Sequence, residues 1–445
     1  MTAEATGENV VQPVRIGLCG LGTVGSGTFN LLRENAEAIA ARAQAPLAIV
    51  HIGARRDNPA CNTAGVRVSR DIFEVVADPE VDVLVELIGG TTVARELVEA
   101  AILAGKHVVT ANKALIAEHG NELFALAAEH NVAVRYEAAV AGGIPIIKAL
   151  REGLAGNHIE WLAGIINGTG NFILSEMREH RREFADVLAE AQALGYAEAD
   201  PTFDVEGIDA AHKLVILASI AFGIPLQFAS VYTEGITRLT PQDLDYAEEL
   251  GYRVKHLGIA KQGPRGVELR VHPTLIPEDR LLANVNGVKN AVLVEGSAVG
   301  PTLYYGAGAG GKPTASAVVA DLVDLARDLS AGQVSRVPSL SFSNEALRDL
   351  PIVPMADVET PWYLRMEAED RTGVLSRIAT IFSDHGISIE ALIQKAPAPG
   401  QTTVPLIVLT NRAAQGRVDA AVAQIEALDT IEGQVVRIRV EPLDG

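Results

Sequence analysis

The stretch Gly20-Leu21-Gly22-Thr23-Val24-Gly25 constrains this chain more than any other feature. It follows the apolar run Val14-Arg15-Ile16-Gly17-Leu18-Cys19 and opens a helix-like segment. Strand, glycine turn and helix in that order suit a dinucleotide pyrophosphate. The first glycine permits a tight turn and the second lets the backbone approach the phosphates. The third lets the helix pack close to the strand, so that the amides at the helix start face the anion. A turn of this kind commits the surrounding chain to alternating strands and helices.

That alternation continues to about residue 140. Strands are predicted at 47–52, 81–87, 107–110 and 132–136, with helical patterns at 93–104 and 114–129. They imply a mostly parallel sheet covered on both faces, with the ligand at the carboxyl ends of its strands. Residues 1–13 read as a disordered tail. From 141 to 330 the pattern changes to helices at 144–154 and 208–222 and strands at 267–272 and 291–295, which predicts an α+β domain. Near its end Gly306-Ala-Gly-Ala-Gly-Gly311 and a helix over 316–329 suggest a segment (306–330) that returns to the nucleotide domain. Pro338, Pro351 and Pro354 make 331–360 read as a linker. Residues 361–445 show strands at 362–368, 387–394, 404–409 and 435–440 and helices at 374–385 and 417–428, the βαββαβ order of a ferredoxin-like module. The expected fold class is α/β: a Rossmann domain, an α+β catalytic and dimerisation domain, and a small C-terminal module.

Composition narrows the function. A chain of 445 residues needs two or three cores. A net charge of −19 with no Lys/Arg block argues against nucleic acid. The 2 cysteines cannot make a disulfide framework or a four-cysteine zinc site, which suits a reducing compartment. No secretory signal and no apolar run of about eighteen residues is present, so a cytoplasmic location without membrane contact is expected.

The chemistry concentrates between Gly195 and Lys213, where Glu198, Asp200, Asp204, Glu206, Asp209 and Lys213 crowd together beside His212. Asp209 and Lys213 are four apart and share a helix face. That spacing suits a surface ion pair worth about half a kcal/mol. It also suits a buried lysine tuned by a carboxylate for proton transfer, since the helix is otherwise apolar. Lys113 follows a predicted strand at the edge where the cofactor is expected. Arg55 and Arg56 follow the second strand, where Asp or Glu would bind ribose hydroxyls and arginine instead holds a ribose phosphate. This favours NADP(H), with the neighbouring Asp57 keeping NAD(H) as the alternative. The 306–311 glycines suit either a loop closing over a ligand or a mobile turn. Gly306 to Lys312 has Walker spacing, but Pro313 stands where a magnesium-binding hydroxyl is needed, which argues against a nucleoside triphosphate. Neither H-E-x-x-H nor G-x-S-x-G occurs.

Taken with Glu86-Leu-Ile-Gly-Gly90, Thr110-Ala-Asn-Lys113, the 137–145 segment Glu-Ala-Ala-Val-Ala-Gly-Gly-Ile-Pro and the 164–171 segment Gly-Ile-Ile-Asn-Gly-Thr-Gly-Asn, the chain resembles homoserine dehydrogenases of the long, regulated bacterial type from 14 to 445. The resemblance implies NAD(P)H-dependent interconversion of L-aspartate 4-semialdehyde and L-homoserine in threonine, methionine and isoleucine biosynthesis. It implies Lys213 as general acid/base, Lys113 as a second lysine near nicotinamide and substrate, and Asp209 as an orienting partner in the pocket. Glu198 and Asp204 are implied as substrate ligands. The implied cofactor residues are Gly20, Gly22, Thr23, Val24, Gly25, Arg55, Arg56, Gly89, Thr91, Lys113 and Gly308. The backbone of Glu137, Val140, Gly142 and Ile144 resembles a sodium or potassium site. The C-terminal module resembles an ACT domain, with Asp370, Gly373, Val374, Leu375, Ile387 and Ser388 at the effector position and threonine as the implied effector. Pairing of such modules implies a homodimer or homotetramer. Truncation from about 355 is expected to abolish the threonine response and keep activity. No aspartate-kinase domain is expected ahead of the nucleotide motif. The competing reading is a non-catalytic amino-acid sensor on a dehydrogenase scaffold; the intact Lys113, Lys213, Glu198 and Asp209 argue against it.

Overall fold

The computed structural model describes residues 12–395 and 403–444. The expected tail, 1–13, lies outside the described residues apart from Gln12 and Pro13. The first apolar run forms β1 (Val14–Cys19), which turns through the glycines into α1 (Thr23–Glu34), followed by α2 (Ala36–Ala43). β2 (Leu47–Gly53), β3 (Arg67–Ser69), α3 (Phe73–Ala77), β4 (Val83–Glu86), α4 (Val93–Leu103), β5 (His107–Thr110), α5 (Lys113–Glu129) and β6 (Val134–Arg135) continue the alternation. The six strands make one parallel sheet in the order β3-β2-β1-β4-β5-β6. The order reverses between β1 and β4, whose carboxyl ends therefore open the crevice used for ligands in doubly wound sheets. Helices cover both faces of such a sheet, so its strands are continuous apolar runs, with Ile16, Leu18, Val83, Leu84 and Val85 fully buried.

Beyond this sheet come α6 (Ile146–Lys148) and a π turn at Ala149–Gly153, where the sequence predicts one regular helix over 144–154. β7 (Ile159–Ile165), α7 (Gly168–His180), α8 (Phe184–Ala193), α9 (Thr202–Val205), α10 (Ile208–Phe222) and β8 (Tyr232–Thr233) follow. Next are α11 (Pro241–Glu249), β9 (Tyr252–Gly263), β10 (Gly266–Pro277), β11 (Lys289–Gly296), β12 (Gly300–Ala307) and α12 (Gly311–Ser330). β7, β9 and much of α7 carry no period or breaker strong enough to have been singled out in the sequence.

The chain divides into two compact units. One comprises Met1–His158, Val215–Phe228 and Tyr304–Asp349; the other comprises Ile159–Leu214, Ala229–Leu303 and Leu350–Gly445. These units break the chain after His158, and α10 contributes to both. The proline-rich stretch 331–360 is also divided, and it is not a loose tether. In the first unit Arg336 and Arg135 both pair with Asp328, each at 2.5 Å, and the Tyr136 hydroxyl donates to the Ser339 carbonyl. In the second, the amides of Val267 and Val353 bond to the carbonyls of Pro351 and Val267, both at 2.9 Å. Prolines remove donors from this stretch, but its carbonyls and remaining amides still take partners.

Within the second unit, β13 (Glu359–Glu369), α13 (Val374–Asp384), β14 (Ile389–Gln394), β15 (Thr403–Ala414), α14 (Gln415–Glu426) and β16 (Ile431–Val440) form the βαββαβ module, with its antiparallel sheet ordered β16-β13-β15-β14. The two-residue strand period sorts its side chains. Trp362, Leu364 and Met366 pack with Ile378, Phe382, Val418 and Ile425 of its own helices. Tyr363, Ile407 and Ile438 instead pack with Phe172, Leu174 and Leu244 of α7 and α11. β16 also pairs in parallel with β10 through Thr274–Arg439 and Leu275–Val440, so the module's strands continue β12-β11-β7-β9-β10 in one sheet. Buried ion pairs cross the same seam: Arg365 to Asp243 at 2.6 Å, and Glu441 to Arg270 at 2.6 Å and Lys261 at 2.8 Å. Removing residues from about 355 would expose an apolar sheet face and leave Asp243 and Arg270 without these partners. The expectation that such a truncation keeps activity therefore gives way to an expected collapse of the second unit.

Burial pushes the Glu441 carboxyl up, but Arg270 and Lys261 outweigh it and hold the pKa at about 2. Glu441→Gln is expected to cost about 3–5 kcal/mol in denaturant unfolding at neutral pH, because it leaves buried cations uncompensated. A folded pKa below the unfolded one stabilises above the unfolded value, 4.5, and that contribution fades as pH falls toward 2. Wild-type and variant stabilities should therefore converge in that acid window; a gap independent of pH would rule the ion pairs out as its source.

Candidate functional site

At the carboxyl end of β1 the three glycines differ in what they require. Gly20 has φ +102°, and a Cβ there would lie 2.6 Å from the Leu87 carbonyl oxygen, so the β1 and β4 turns touch backbone to backbone. A Cβ at Gly25 would lie 1.9 Å from the Gly20 carbonyl oxygen, whereas at Gly22 nothing lies within 4 Å. The outer glycines thus hold the turn and the middle one leaves open ground over the amides of Thr23 and Val24. No side chain caps this helix start, which leaves its amides for an anion. Beyond β2, Arg55 and Arg56 are exposed, while Asp57 pairs with Arg70 at 2.8 Å. These residues fit a dinucleotide.

Glu86, buried at the end of β4, organises the neighbouring turn. One carboxylate oxygen accepts from the amides of Ile88 (2.8 Å) and Gly89 (3.0 Å), and the other from the Thr110 hydroxyl (2.5 Å). Gly89 and Gly90 are both left-handed, and Thr91 follows half-buried. Asn112 donates to the Gly90 carbonyl at 2.7 Å and caps α5 through the Leu115 amide. Lys113, half-buried, is the first residue of that helix. Gly308 is buried in the glycine stretch before α12, where the Gly143 amide donates to the adjacent Ala307 carbonyl at 2.9 Å. Sequence reasoning assigned Glu86 no role; its one signal is an acid ending an apolar strand.

In the second unit the acidic stretch resolves into a small buried group. Lys213 Nζ donates to Asp209 Oδ2 at 2.6 Å and to the Ile166 carbonyl at 2.7 Å, with the side chain 11% exposed. An ion pair this buried is not the solvated surface pair that the spacing alone also allowed. Asn167 joins it: its amide nitrogen donates to Asp204 (2.7 Å) and Asp209 (2.9 Å), and its oxygen caps α7 through the Gly170 amide (2.7 Å). Asn167 lay inside a quoted motif without a role; Asn-Gly at a helix start was its signal. Glu198 stands apart from this hydrogen-bonded group, exposed on the loop after α8, where its carbonyl accepts from Gln192.

The loop after β6 is tight. Ala141 and Gly142 are both left-handed at φ 51° and 25°, and the Ile144 amide returns to the Ala141 carbonyl. The Glu137 carboxylate accepts from the amides of Ile147 and Lys148. Burial, then the Asp321 charge, pushes Glu137 up to about 8. In the C-terminal module Asp370, Gly373, Val374 and Leu375 line a cavity of about 260 Å³ together with Gln394 and Leu406. Ile387 and Ser388 lie outside this lining, at the opposite end of β14, where the Ser388 hydroxyl accepts from Asn411.

Lys255 was also overlooked, because a lysine in a β-strand normally faces water. It is buried, donating to the Val285 carbonyl at 2.6 Å and Asn286 at 3.0 Å, and burial followed by Arg178 and Arg253 lowers its pKa to about 7. Between this value and the unfolded 10.5 the unfolded chain binds the extra proton, so wild-type stability is expected to gain with rising pH relative to Lys255→Met. Unfolding curves measured across that window test it; parallel profiles for the two proteins would contradict the buried-charge account.

Three family descriptions match the chain: "Homoserine dehydrogenase, NAD binding domain" at 20–137, "Homoserine dehydrogenase" at 145–323, and "ACT domain" at 362–430. The sequence is 63% identical over 434 residues to a homoserine dehydrogenase of Pseudomonas aeruginosa, spanning 98% of this chain and 100% of that protein. The fold is similar to the crystal structure of a homoserine dehydrogenase from Thiobacillus denitrificans, with a TM-score of 0.93 and 60% identity over 98% of this chain and 100% of that one. It is also similar to a hyperthermophilic archaeal homoserine dehydrogenase in complex with NADPH, with a TM-score of 0.60 and 27% identity over 76% of this chain and 100% of that one.

Proposed function

The chain belongs to the homoserine dehydrogenase family, an oxidoreductase with an NAD(P)-binding domain and a C-terminal ACT domain, and on that premise we propose that it interconverts L-homoserine and L-aspartate 4-semialdehyde with NADP(H) preferred and threonine as feedback effector. The observation that carries this reading is the buried Lys213–Asp209 pair braced by Asn167. When bound, the nicotinamide supplies or accepts the hydride. Lys213 gives a proton to the substrate oxygen as it gains charge, and takes the hydroxyl proton in the reverse direction. Asp209 keeps that ammonium in place, so little reorganisation is needed at the moment of reaction. Asp204 and Glu198 offer negative charge to the substrate ammonium. Lys113 is assigned as the second lysine near nicotinamide and substrate.

Arg55 and Arg56, both exposed beyond β2, support NADP(H), since arginine there suits a ribose phosphate. A sodium or potassium ion would be held by the main-chain carbonyls of Glu137, Val140, Gly142 and Ile144; the left-handed Ala141 and Gly142 support a loop of that kind. The cavity at Asp370–Leu375 supports an amino-acid effector, and its size suits threonine. The free thiols Cys19 and Cys61 support a cytoplasmic setting, and the ACT domain supports a homodimer or homotetramer. Among the described residues no helix is long and apolar enough to cross a membrane.

One spectrophotometric assay tests the reading: NADP reduction with L-homoserine, with and without threonine. Homoserine-dependent reduction that threonine suppresses is the expected result, and no reduction with either NADP or NAD would refute the assignment. Lys213→Ala is expected to lower kcat by about 10²–10⁴-fold while leaving the cofactor KM near wild type. Near-normal turnover would remove Lys213 from the proton-transfer role. Arg55→Asp is expected to weaken NADPH more than NADH, and an unchanged preference would locate selectivity elsewhere.

A further inference from the structure

Arg439 lies on β16 of the C-terminal module, yet it is only 2% exposed and reaches β8, α14 and β13. It donates to Glu234 Oε2 at 2.7 Å, to the Tyr232 hydroxyl at 3.1 Å and to Gln415 at 2.7 Å, with its guanidinium 4.8 Å from the Trp362 ring centroid. An arginine bonded to three side chains and stacked on a ring is a geometric clamp as well as a charge. What it clamps is the segment after β8. The Glu234 amide donates to the Val271 carbonyl (2.8 Å), and two residues on the Ile236 amide donates to the Val205 carbonyl (2.9 Å).

Val205 ends α9, and the turn after it carries the reaction group. Asp204 lies before the turn, left-handed Gly207 (φ +83°) forms it, and Asp209 begins the next helix. The Glu234 carbonyl meets His256 Nε2 at 2.9 Å. The buried His256 ring lies directly under Gly207, where a Cβ would come within 3.1 Å of Cε1. It also flanks Gly170, where a Cβ would be 3.7 Å from Nδ1, and Gly170 is the residue whose amide Asn167 caps. Burial drives the His256 pKa down to about 4, so the neutral ring donates from Nε2 to that carbonyl. One segment, fixed by Arg439, therefore supports both turns that present Asn167, Asp204 and Asp209.

We propose that Arg439 is a positioning residue for the reaction site: by holding Glu234, and through it Val205 and His256, the ACT domain sets the placement of Asp204, Asp209 and Lys213. This rests on the catalytic reading of Lys213 given above. It names a physical route between the regulatory module and the chemistry that does not require the Asp370–Leu375 cavity to touch the site.

The test uses the full chain with Arg439→Gln, Glu234→Gln, the double variant and Arg439→Lys. Each single glutamine variant is expected to lower kcat/KM for L-homoserine about tenfold, with the KM for NADP unchanged, because misplaced groups lose rate rather than cofactor affinity. The double variant should be no worse than the poorer single, since both cut the same link. Arg439→Lys should recover part of the loss. Amide exchange should rise in the peptide 202–213 and stay at wild-type level in 14–34. Wild-type homoserine kinetics and wild-type exchange at 202–213 in both single variants would overturn the proposal, as would losses that multiply in the double variant. Should Arg439→Gln unfold, the isosteric Glu234→Gln carries the same comparison. A wild-type protein that does not oxidise homoserine would sink the functional reading, while exchange at 202–213 would still decide this one.

Discussion

A charge taken out of water must be met by an opposite charge or by oriented dipoles, and this chain concentrates its function where that requirement is hardest to satisfy. Lys213 is met by Asp209 and a carbonyl, and Asp209 in turn by Asn167. Glu441 is met by two cations, Arg365 by Asp243, and Arg439 by Glu234. The most buried of these pairs are costly to break, because removing one partner leaves the other uncompensated. Their worth lies in geometry: a buried pair has few alternative arrangements, so it holds the backbone on either side of it.

This explains why the C-terminal module is not an appendage. Its sheet buries one face under its own helices and the other under α7 and α11, and it shares a strand pairing with β10. Ion pairs lie along the same seam. A module joined by a flexible linker could bind an effector without mechanical consequence. One that shares a sheet with β10 has no such independence, and a shift of β16 carries the Arg439 bond to Glu234 with it.

Legibility from sequence followed range. The βα turn at Gly20–Gly25, β5 at 107–110, α10 at 208–222 and the βαββαβ order were all readable, because glycine turns, apolar runs and helical periods are local signals. The Asp209–Lys213 spacing was readable for the same reason, although whether the pair lay on the surface was not. Asn167 escaped because its partner Asp209 is 42 residues away, and Arg439 because Glu234 is 205 away. Where Glu198 and the pair Ile387–Ser388 sit is set by long-range folding: Glu198 stands apart from the hydrogen-bonded group around Lys213, and Ser388 lies outside the Asp370–Leu375 cavity.

Residue order alone was enough for the family, the nucleotide turn and the chemical identity of the lysine and carboxylates, since these depend on neighbours within one or two turns of chain. It could not say that 331–360 packs instead of tethering, that β10 carries the sheet on into the C-terminal module, or that Arg439 bonds Glu234. Those are pairings between segments far apart in the chain. They exist only once folding has closed the intervening loops and removed the water that would otherwise satisfy each charge separately.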